Sequence, residues 1–315
     1  MAARPNGGQP DTPTRDDVVA ADRRLGGLVH RTPVLRCTTL DERSGATVFL
    51  KSEHLQKVGA FKARGAMNAV AQLPTDVHRV ACHSSGNHAQ ALAWAAAQRG
   101  LAATIVMPSN APSVKRAAVE GYGAEIVTCD PTLEARETTL SQVIESTGAV
   151  EIHPYDHPHV IAGAGTAALE LLEDVPDLDV IIAPVGGGGL LSGTALAAAG
   201  ATVWGAEPLG ADDAARSLAA GRLIPQTDPQ TIADGLLTSL SDRTFGIISE
   251  RVERIVTVTE AEIISAMRLL WERAKQVVEP SGAVAVAAVL QGELRGRRVG
   301  VILSGGNVDL DALPW

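Results

Sequence analysis

The chain has 315 residues, a formal net charge of −9, and 45% hydrophobic residues of which few are aromatic (3% of the chain). That length fits one large domain or two modest ones sharing a cleft, with a core packed by small side chains as in α/β layers. The acidic balance argues against nucleic acid, which needs a basic face. No apolar run approaches a membrane span, and Cys37, Cys82 and Cys129 are too scattered for a metal cluster or a disulfide framework, so a cytoplasmic setting is expected.

Residues 1–15 are polar, rich in proline and glycine, and lack the apolar core of a signal peptide; they are expected to form a frayed tail and not a targeting segment. A helix is predicted over 16–24 and a strand over 47–51 (TVFLK). From there β-rich runs alternate with alanine-rich ones. Strands are predicted over 79–83, 103–107 (stopped by Pro108) and 125–129, with helices over 89–99, 111–120 and 132–146. A second series gives helix 165–172, strand 180–184, helix 190–199 and strand 202–206. Strand 254–258, helices 260–275 and 281–291, and strand 298–303 follow. Such alternation predicts parallel sheets covered on both faces. No internal repeat or low-complexity linker interrupts it. The expected division is a small domain, residues 79–152, inserted into a large one made of residues 1–78 and 153–315.

Residues 180–185 (VIIAPV) are fully apolar and lead at once into Gly186, Gly187, Gly188 and Gly189, then into an alanine- and leucine-rich helix. Four glycines let the backbone turn sharply and aim several N–H groups into one concavity. The helix start adds the positive end of its dipole. Together they favour a bound phosphate, although a bare strand-to-helix turn also uses a glycine or two. A dinucleotide site is the rival, because Glu207 ends the next strand near where a ribose-binding acid would stand. Against it, no window spells G-x-G-x-x-G, and the glycines come mid-chain after a complete α/β unit.

Residues 57–66 read KVGAFKARGA. A lysine beside a glycine-bearing turn is ordinarily a surface charge. In this setting the segment resembles the S-F-K-x-R-G-A motif of fold-type II pyridoxal-phosphate (PLP) enzymes, nearest the serine racemase and serine/threonine dehydratase group. Two further motifs follow in the family's order: SSGNH at 84–88, which alone would read as a helix N-cap, and ILSGGN at 302–307, which alone would read as a strand-end turn. The likeness runs from about residue 29 to residue 310.

The resemblance implies a tryptophan-synthase-β-like α/β fold, two open parallel-sheet domains with the cofactor in the cleft. It implies that Lys62 holds PLP as a Schiff base, which requires a primary amine, and that the same amine takes the α-proton once substrate frees it. Phe61 would lie beside the ring, Asn87 would bond the ring oxygen, Ser304 would meet the pyridine nitrogen and Glu279 would stand near the ring. Gly186, Gly187, Gly188, Gly189, Leu190 and Gly235 would complete the cofactor site. Ser84, Ser85, Gly86, Asn87 and His88 would hold the substrate carboxylate, with Arg136 facing acidic ligands. Relatives that only dehydrate commonly have alanine where Ser85 stands. Racemases and hydroxyaspartate dehydratases carry serine there, on the face of the α-carbon opposite Lys62. A neutral Ser304 hydroxyl cannot hold a pyridinium as a carboxylate would, so the ring is a weaker electron sink, which suits prompt loss of a β-hydroxyl.

Residues 207–213 (EPLGADD) resemble the divalent-cation site of serine racemases. The ligands would be Glu207, Asp213 and the carbonyl of Ala211, an all-oxygen set that suits magnesium, calcium or manganese and not zinc. Spacing alone favours acids at a helix N-terminus over a metal site. The same resemblance implies a small amino-acid substrate and a homodimer. Ala60, Val58 and Tyr155 depart from the family pattern, which has serine, threonine and, in animal racemases, asparagine. The expected activity is β-elimination from L-serine or L-threonine to a 2-oxo acid and ammonia, with serine racemisation beside it. Dehydration of threo-3-hydroxyaspartate, a primary racemase, and a PLP-binding regulatory protein without turnover are the alternatives. β-Replacement fits the 84–88 loop less well.

Overall fold

The strands are β1 (Val34–Leu35), β2 (Thr47–Lys51), β3 (Arg79–His83), β4 (Ala102–Pro108), β5 (Glu125–Cys129), β6 (Val150–Glu151), β7 (Val180–Pro184), β8 (Thr202–Pro208), β9 (Arg254–Val258) and β10 (Arg298–Ile302). They form two sheets in this computed structural model, which describes residues 12–111 and 113–315. One sheet has the order β1-β2-β10-β7-β8-β9 and the other β5-β4-β3-β6. Every pairing is parallel except β1 with β2. β7 is buried along its whole length, as a central parallel strand with both faces covered must be. The four-stranded sheet is built only from strands within residues 79–151.

Strand order positions the site. In the larger sheet the order reverses beside β10, with β7 on one side and β2 on the other; in the smaller it reverses beside β3, between β4 and β6. Open parallel sheets take ligands beyond the C-terminal ends of strands at such reversals. The segments found there are 304–307 after β10, 84–88 after β3 and the four glycines after β7.

Several expectations are revised. Of the expected tail, residues 1–11 lie outside the described residues, but Arg15 already opens the helix Arg15–Leu25, capped by Thr14 in a reciprocal box with Asp17. Pro108 closes β4 as its last residue and pairs with Cys129. The helix expected over 165–172 is Pro158–Asp174, opened by a proline in its first turn. The one expected over 260–275 is an α-helix, Glu260–Leu269, followed by a π-turn, Leu270–Ala274, and Lys275 with φ +58°. The helices Thr38–Ser44, Lys62–Ala71, Asp213–Ala220 and Asp242–Arg251, and the two-residue strands β1 and β6, are additions to the sequence-based pattern.

Three helices meet backbone to backbone. A methyl on Gly163 of Pro158–Asp174 would lie 2.6 Å from the Arg64 carbonyl oxygen, and one on Gly165 would lie 2.6 Å from that of Gly193. Gly193 belongs to Gly189–Ala197, the helix that follows the glycine loop. Both the helix that starts at Lys62 and the helix that follows the glycines are therefore seated on Pro158–Asp174 at contact distances that a Cβ would break. In Gly193→Ala, helix propensity gains up to about 1 kcal/mol. The new methyl would lie 2.5 Å from the Ile161 carbonyl, and overpacking against fixed backbone costs about 1–3 kcal/mol. The variant is expected to be less stable, read as a lower urea midpoint with an unchanged slope.

Candidate active site

The segment before Lys62 is a tight loop stitched to the end of β10. Val58 has φ +55°, a left-handed conformation that is costly for a β-branched side chain. Gly59 follows at φ +69°, and a Cβ there would lie 2.5 Å from Asn307 Oδ1. Ala60 bridges Gly305, and the Phe61 amide donates to the Ser304 carbonyl at 3.0 Å. Lys62 is then the first residue of Lys62–Ala71. Its Nζ donates to the Pro154 carbonyl at 2.7 Å and lies 5.2 Å from the centre of the Phe61 ring. Burial lowers its pKa to about 8, so a sizeable fraction is the neutral, nucleophilic amine near neutral pH.

The glycine loop lies on the other side of residues 154–155. Gly188 has φ +87° and opens Gly189–Ala197, with Leu190 buried in its first turn. A Cβ on Gly187 would fall 2.3 Å from the Tyr155 ring, and one on Gly186 would fall 2.8 Å from Leu236 Cα and 3.3 Å from the Gly235 carbonyl. The Gly235 amide is held by Ser281 Oγ at 3.0 Å. The amides of Gly186, Gly187, Gly188 and Gly189 reach no backbone carbonyl among the described residues. A loop that admits no side chain and leaves its amides unspent at a helix start fits the phosphate of PLP.

β3 delivers the third group. The Ser84 amide donates to the Val106 carbonyl at 3.1 Å, and Ser84 Oγ accepts from the Gly86 amide at 3.3 Å. Ser85 is half-buried, and a Cβ on Gly86 would meet nothing within 4 Å, so the loop opens onto space. Asn87 and His88 start the helix Asn87–Gln98. The His88 ring is buried and its Nε2 donates to the Ile152 carbonyl at 2.8 Å. Burial also drives its pKa well below the usual value. What His88 offers the loop is therefore its backbone amide and not its imidazole. Arg136, half-buried on Leu133–Thr147, donates through Nε to the Thr132 carbonyl at 3.3 Å. After burial, its charge is the next cause that holds His83, the last residue of β3, low. The His83 and His153 rings meet edge to face at 6.3 Å, and His153 and Tyr155 at 4.6 Å. This ladder and the Pro154 carbonyl were absent from the sequence-based site; only the departure at Tyr155 pointed to them.

The set expected to bind a cation is buried. Glu207 Oε1 and Oε2 accept from the amides of Ala214 and Ala215, and burial raises its pKa to about 9. Both oxygens of buried Asp213 lack a hydrogen-bond partner among the described residues, and burial raises this pKa to about 6. Ala211 is buried in the turn Leu209–Ala211 between them. Unpaired buried carboxylates are costly, and oxygen donors of this kind fit a hard divalent cation. No group of three or more His, Cys, Asp or Glu that could hold a metal occurs among the described residues, so two carboxylates and main-chain oxygen are what this set provides.

Ser304, Glu279, Asn87 and Asn307 form the remaining wall. Ser304 Oγ donates to the Ser281 carbonyl at a long 3.4 Å. Asn307 Nδ2 donates to Asn87 Oδ1 and to the Val58 carbonyl, each at 2.8 Å, and Asn87 Nδ2 donates to Glu279 Oε1 at 2.7 Å. A Cβ on Gly305 would lie 2.4 Å from that same Glu279 oxygen. Burial, with the Asp234 charge nearby, pushes the Glu279 pKa up to about 7. Because the folded value is raised, folding favours the protonated form. The stability this contributes is whole below about pH 4.5 and is lost as the pH rises through about 7. Glu279→Gln stays neutral throughout. It is expected to melt above the parent at pH about 8, with the difference closing as the pH falls toward about 5, measured by calorimetry across that range.

The comparisons agree with this geometry. Residues 26–305 match the family model described as pyridoxal-phosphate dependent enzyme. The chain is 48% identical to the serine racemase of Dictyostelium discoideum, covering 96% of this chain and 97% of that one. It is 47% identical to the β-hydroxyaspartate dehydratase of Paracoccus denitrificans (strain Pd 1222), covering 96% and 99%. The crystal structure of the Dictyostelium enzyme superposes with a TM-score of 0.91 over 95% of this chain and 100% of that one. This chain belongs to the pyridoxal-phosphate dependent enzyme family and has its fold-type II architecture.

Proposed function

We propose that the chain dehydrates small hydroxy amino acids, L-serine and L-threonine among them, to a 2-oxo acid and ammonia, and racemises serine at the same site. The observation that carries this reading is the Lys62 amine, with its pKa lowered to about 8 and its Nζ 2.7 Å from the Pro154 carbonyl. It stands between a glycine cradle and an open helix-start loop. When bound, PLP supplies an aldehyde to capture the substrate amine and an electron sink for the α-carbon. Phe61 and Asn87 would flank its ring, Ser304 would meet its nitrogen, Glu279 would stand beside it, and Gly186, Gly187, Gly188, Gly189, Leu190 and Gly235 would receive its phosphate end.

The chain's own groups do the rest. Ser84, Ser85, Gly86, Asn87 and the His88 amide hold the substrate carboxylate at a helix start. Lys62 Nζ takes the α-proton. The β-hydroxyl leaves as water with the proton that Lys62 Nζ removed, and hydrolysis of the released enamine consumes one water and gives the 2-oxo acid and ammonia. Where Ser85 Oγ instead gives a proton to the opposite face of the α-carbon, the D-isomer forms. Arg136 beside His83 supports a second reading, dehydration of threo-3-hydroxyaspartate, whose extra carboxylate needs a cationic partner. A divalent cation on Glu207, Asp213 and the Ala211 carbonyl belongs to this proposal in a structural role. So do a homodimer, a cytoplasmic setting and the division of the chain at residues 79 and 152. No helix of the described residues is long and apolar enough to cross a membrane.

The test supplies L-serine, L-threonine and threo-3-hydroxyaspartate with PLP and magnesium, and assays 2-oxo acid and D-isomer separately. Lys62→Ala is expected to lose both products. Ser85→Ala is expected to lose D-serine formation by about 10²–10⁴-fold, the usual weight of a proton donor, while 2-oxo acid persists. A chelator is expected to lower the melting temperature and added divalent cation to restore it. No reaction with any of the three substrates sinks the substrate assignment.

A further inference from the structure

Outside the site lies a group of four charges that the chemistry above leaves unused. Lys51, Glu53 and Arg64 are fully buried and Glu170 nearly so. Arg64 Nε donates to Glu53 Oε2 at 2.7 Å and one terminal nitrogen donates to Glu53 Oε1 at 2.8 Å. The two terminal nitrogens also reach Glu170 Oε1 and Oε2 at 2.7 and 2.8 Å, Thr166 Oγ1 at 3.1 Å and the His30 carbonyl at 3.2 Å. Lys51 Nζ donates to Glu170 Oε2 at 2.5 Å and to the Thr32 carbonyl at 2.7 Å. Two cations face two carboxylates, so the cluster is neutral, and every nitrogen of the Arg64 guanidinium has an acceptor. A single planar guanidinium spans both acids, which an ammonium cannot do.

The placement matters more than the charge count. Lys62–Ala71 opens at Lys62 with no side-chain cap at Phe61, so within the segment its first turn is closed only by the Ala63 and Arg64 amides on the Ala60 and Phe61 carbonyls. Arg64 lies in that turn. Its carbonyl would be 2.6 Å from a Cβ on Gly163, and its guanidinium binds Thr166 and Glu170 further along the same Pro158–Asp174 helix. The other acid, Glu53, sits in the short turn Glu53–Leu55 that follows β2. The acceptor of the Lys62 amine, the Pro154 carbonyl, belongs to the segment that leads into Pro158–Asp174. The amine and its acceptor are thus carried by two elements that Arg64 ties together.

We propose that Arg64 is a positioning residue for Lys62: bound by Glu53 and Glu170, it holds the first turn of the lysine helix against Pro158–Asp174 and so fixes where the Lys62 amine points. This rests on the reading of Lys62 as the amine that captures PLP and moves the α-proton.

The test compares the holoenzyme of Arg64→Lys, which keeps the charge and loses the fork, with the parent, well below both unfolding transitions. The expected result is a kcat for L-serine lower by about 10- to 100-fold, since displacement of a reacting group by about 1 Å costs that much, with KM little changed. The visible circular dichroism per bound cofactor is expected to change with it. If kcat and that dichroism stay at parent values while only the unfolding midpoint falls, Arg64 is structural and the proposal is overturned. Should Arg64→Lys not fold, the double variant Arg64→Met with Glu53→Gln, which leaves Lys51 opposite Glu170 as a balanced pair, is read by the same two measurements. Borohydride reduction of the parent separates the two claims. No label at Lys62 removes the underlying reading, whereas label at Lys62 with unaltered kinetics and dichroism in the variant removes only the positioning role.

Discussion

The seating of two helices on Pro158–Asp174 is the constraint from which the site geometry follows. Gly163 receives the backbone of the helix that begins at Lys62, and Gly165 receives the backbone of the helix that begins at the four glycines. Backbone contacts have no rotamers to adjust, and close-packed interiors transmit displacement instead of absorbing it. An amine and an anion cradle, 124 residues apart from Lys62 to Gly186 in sequence, are thereby both referred to one helix. The residues just before that helix then serve both sides, with the Pro154 carbonyl on the amine and the Tyr155 ring against Gly187.

Electrostatics divides the interior in two. Where the cluster of Lys51, Glu53, Arg64 and Glu170 lies, charges are buried in opposite pairs that hydrogen-bond one another, the condition under which burial is tolerable. Around the cleft the reverse holds. Lys62 is pulled down to about 8, His153 to about 4 and His88 well below its usual value, and Glu279 is pushed up to about 7. Burial is the leading cause each time, and each shift moves a group toward its neutral form. A cleft whose own groups shed charge leaves the anionic ends of a ligand to be met by backbone amides, which cannot titrate.

Much of this was legible in the sequence, and the reason is specific. β2, β3, β5, β7 and β9 have the bounds predicted for them; for β7, buried along its length, this is because a parallel strand covered on both faces needs an uninterrupted apolar run. Ser84, Ser85, Asn87, Ser304 and the four glycines lie in short segments at strand ends and Lys62 at a helix start, where a motif is also a local structure. Other features have no local signature. The helix that starts at Lys62 carries Gly65 in its interior, whose absent side chain is explained only by the Val160 carbonyl that would lie 2.7 Å from a Cβ there. The start of Pro158–Asp174 is obscured by Gly163 and Gly165 for the same reason. The Pro154 acceptor is a backbone atom, and the His83, His153, Tyr155 ladder joins two chain segments about seventy residues apart that only the pairing of β3 with β6 brings together.

The strain at Val58 belongs to the same economy. A left-handed β-branched residue costs on the order of 1–3 kcal/mol and persists only where its surroundings over-determine it. Here the Val58 carbonyl is held by Asn307, Gly59 is closed off by the Asn307 side chain, and Ala60 and Phe61 are pinned to residues 304 and 305. Asn307 also bonds Asn87, which bonds Glu279. The loop that delivers Lys62 is therefore held at one end by the same amide that joins the helix after β3 to the end of β10, and at the other by the first turn of the lysine helix. A reactive amine on a loop held at both ends has little freedom except along its own side chain, which is the freedom needed to reach first an aldehyde and then a proton on the adjacent carbon.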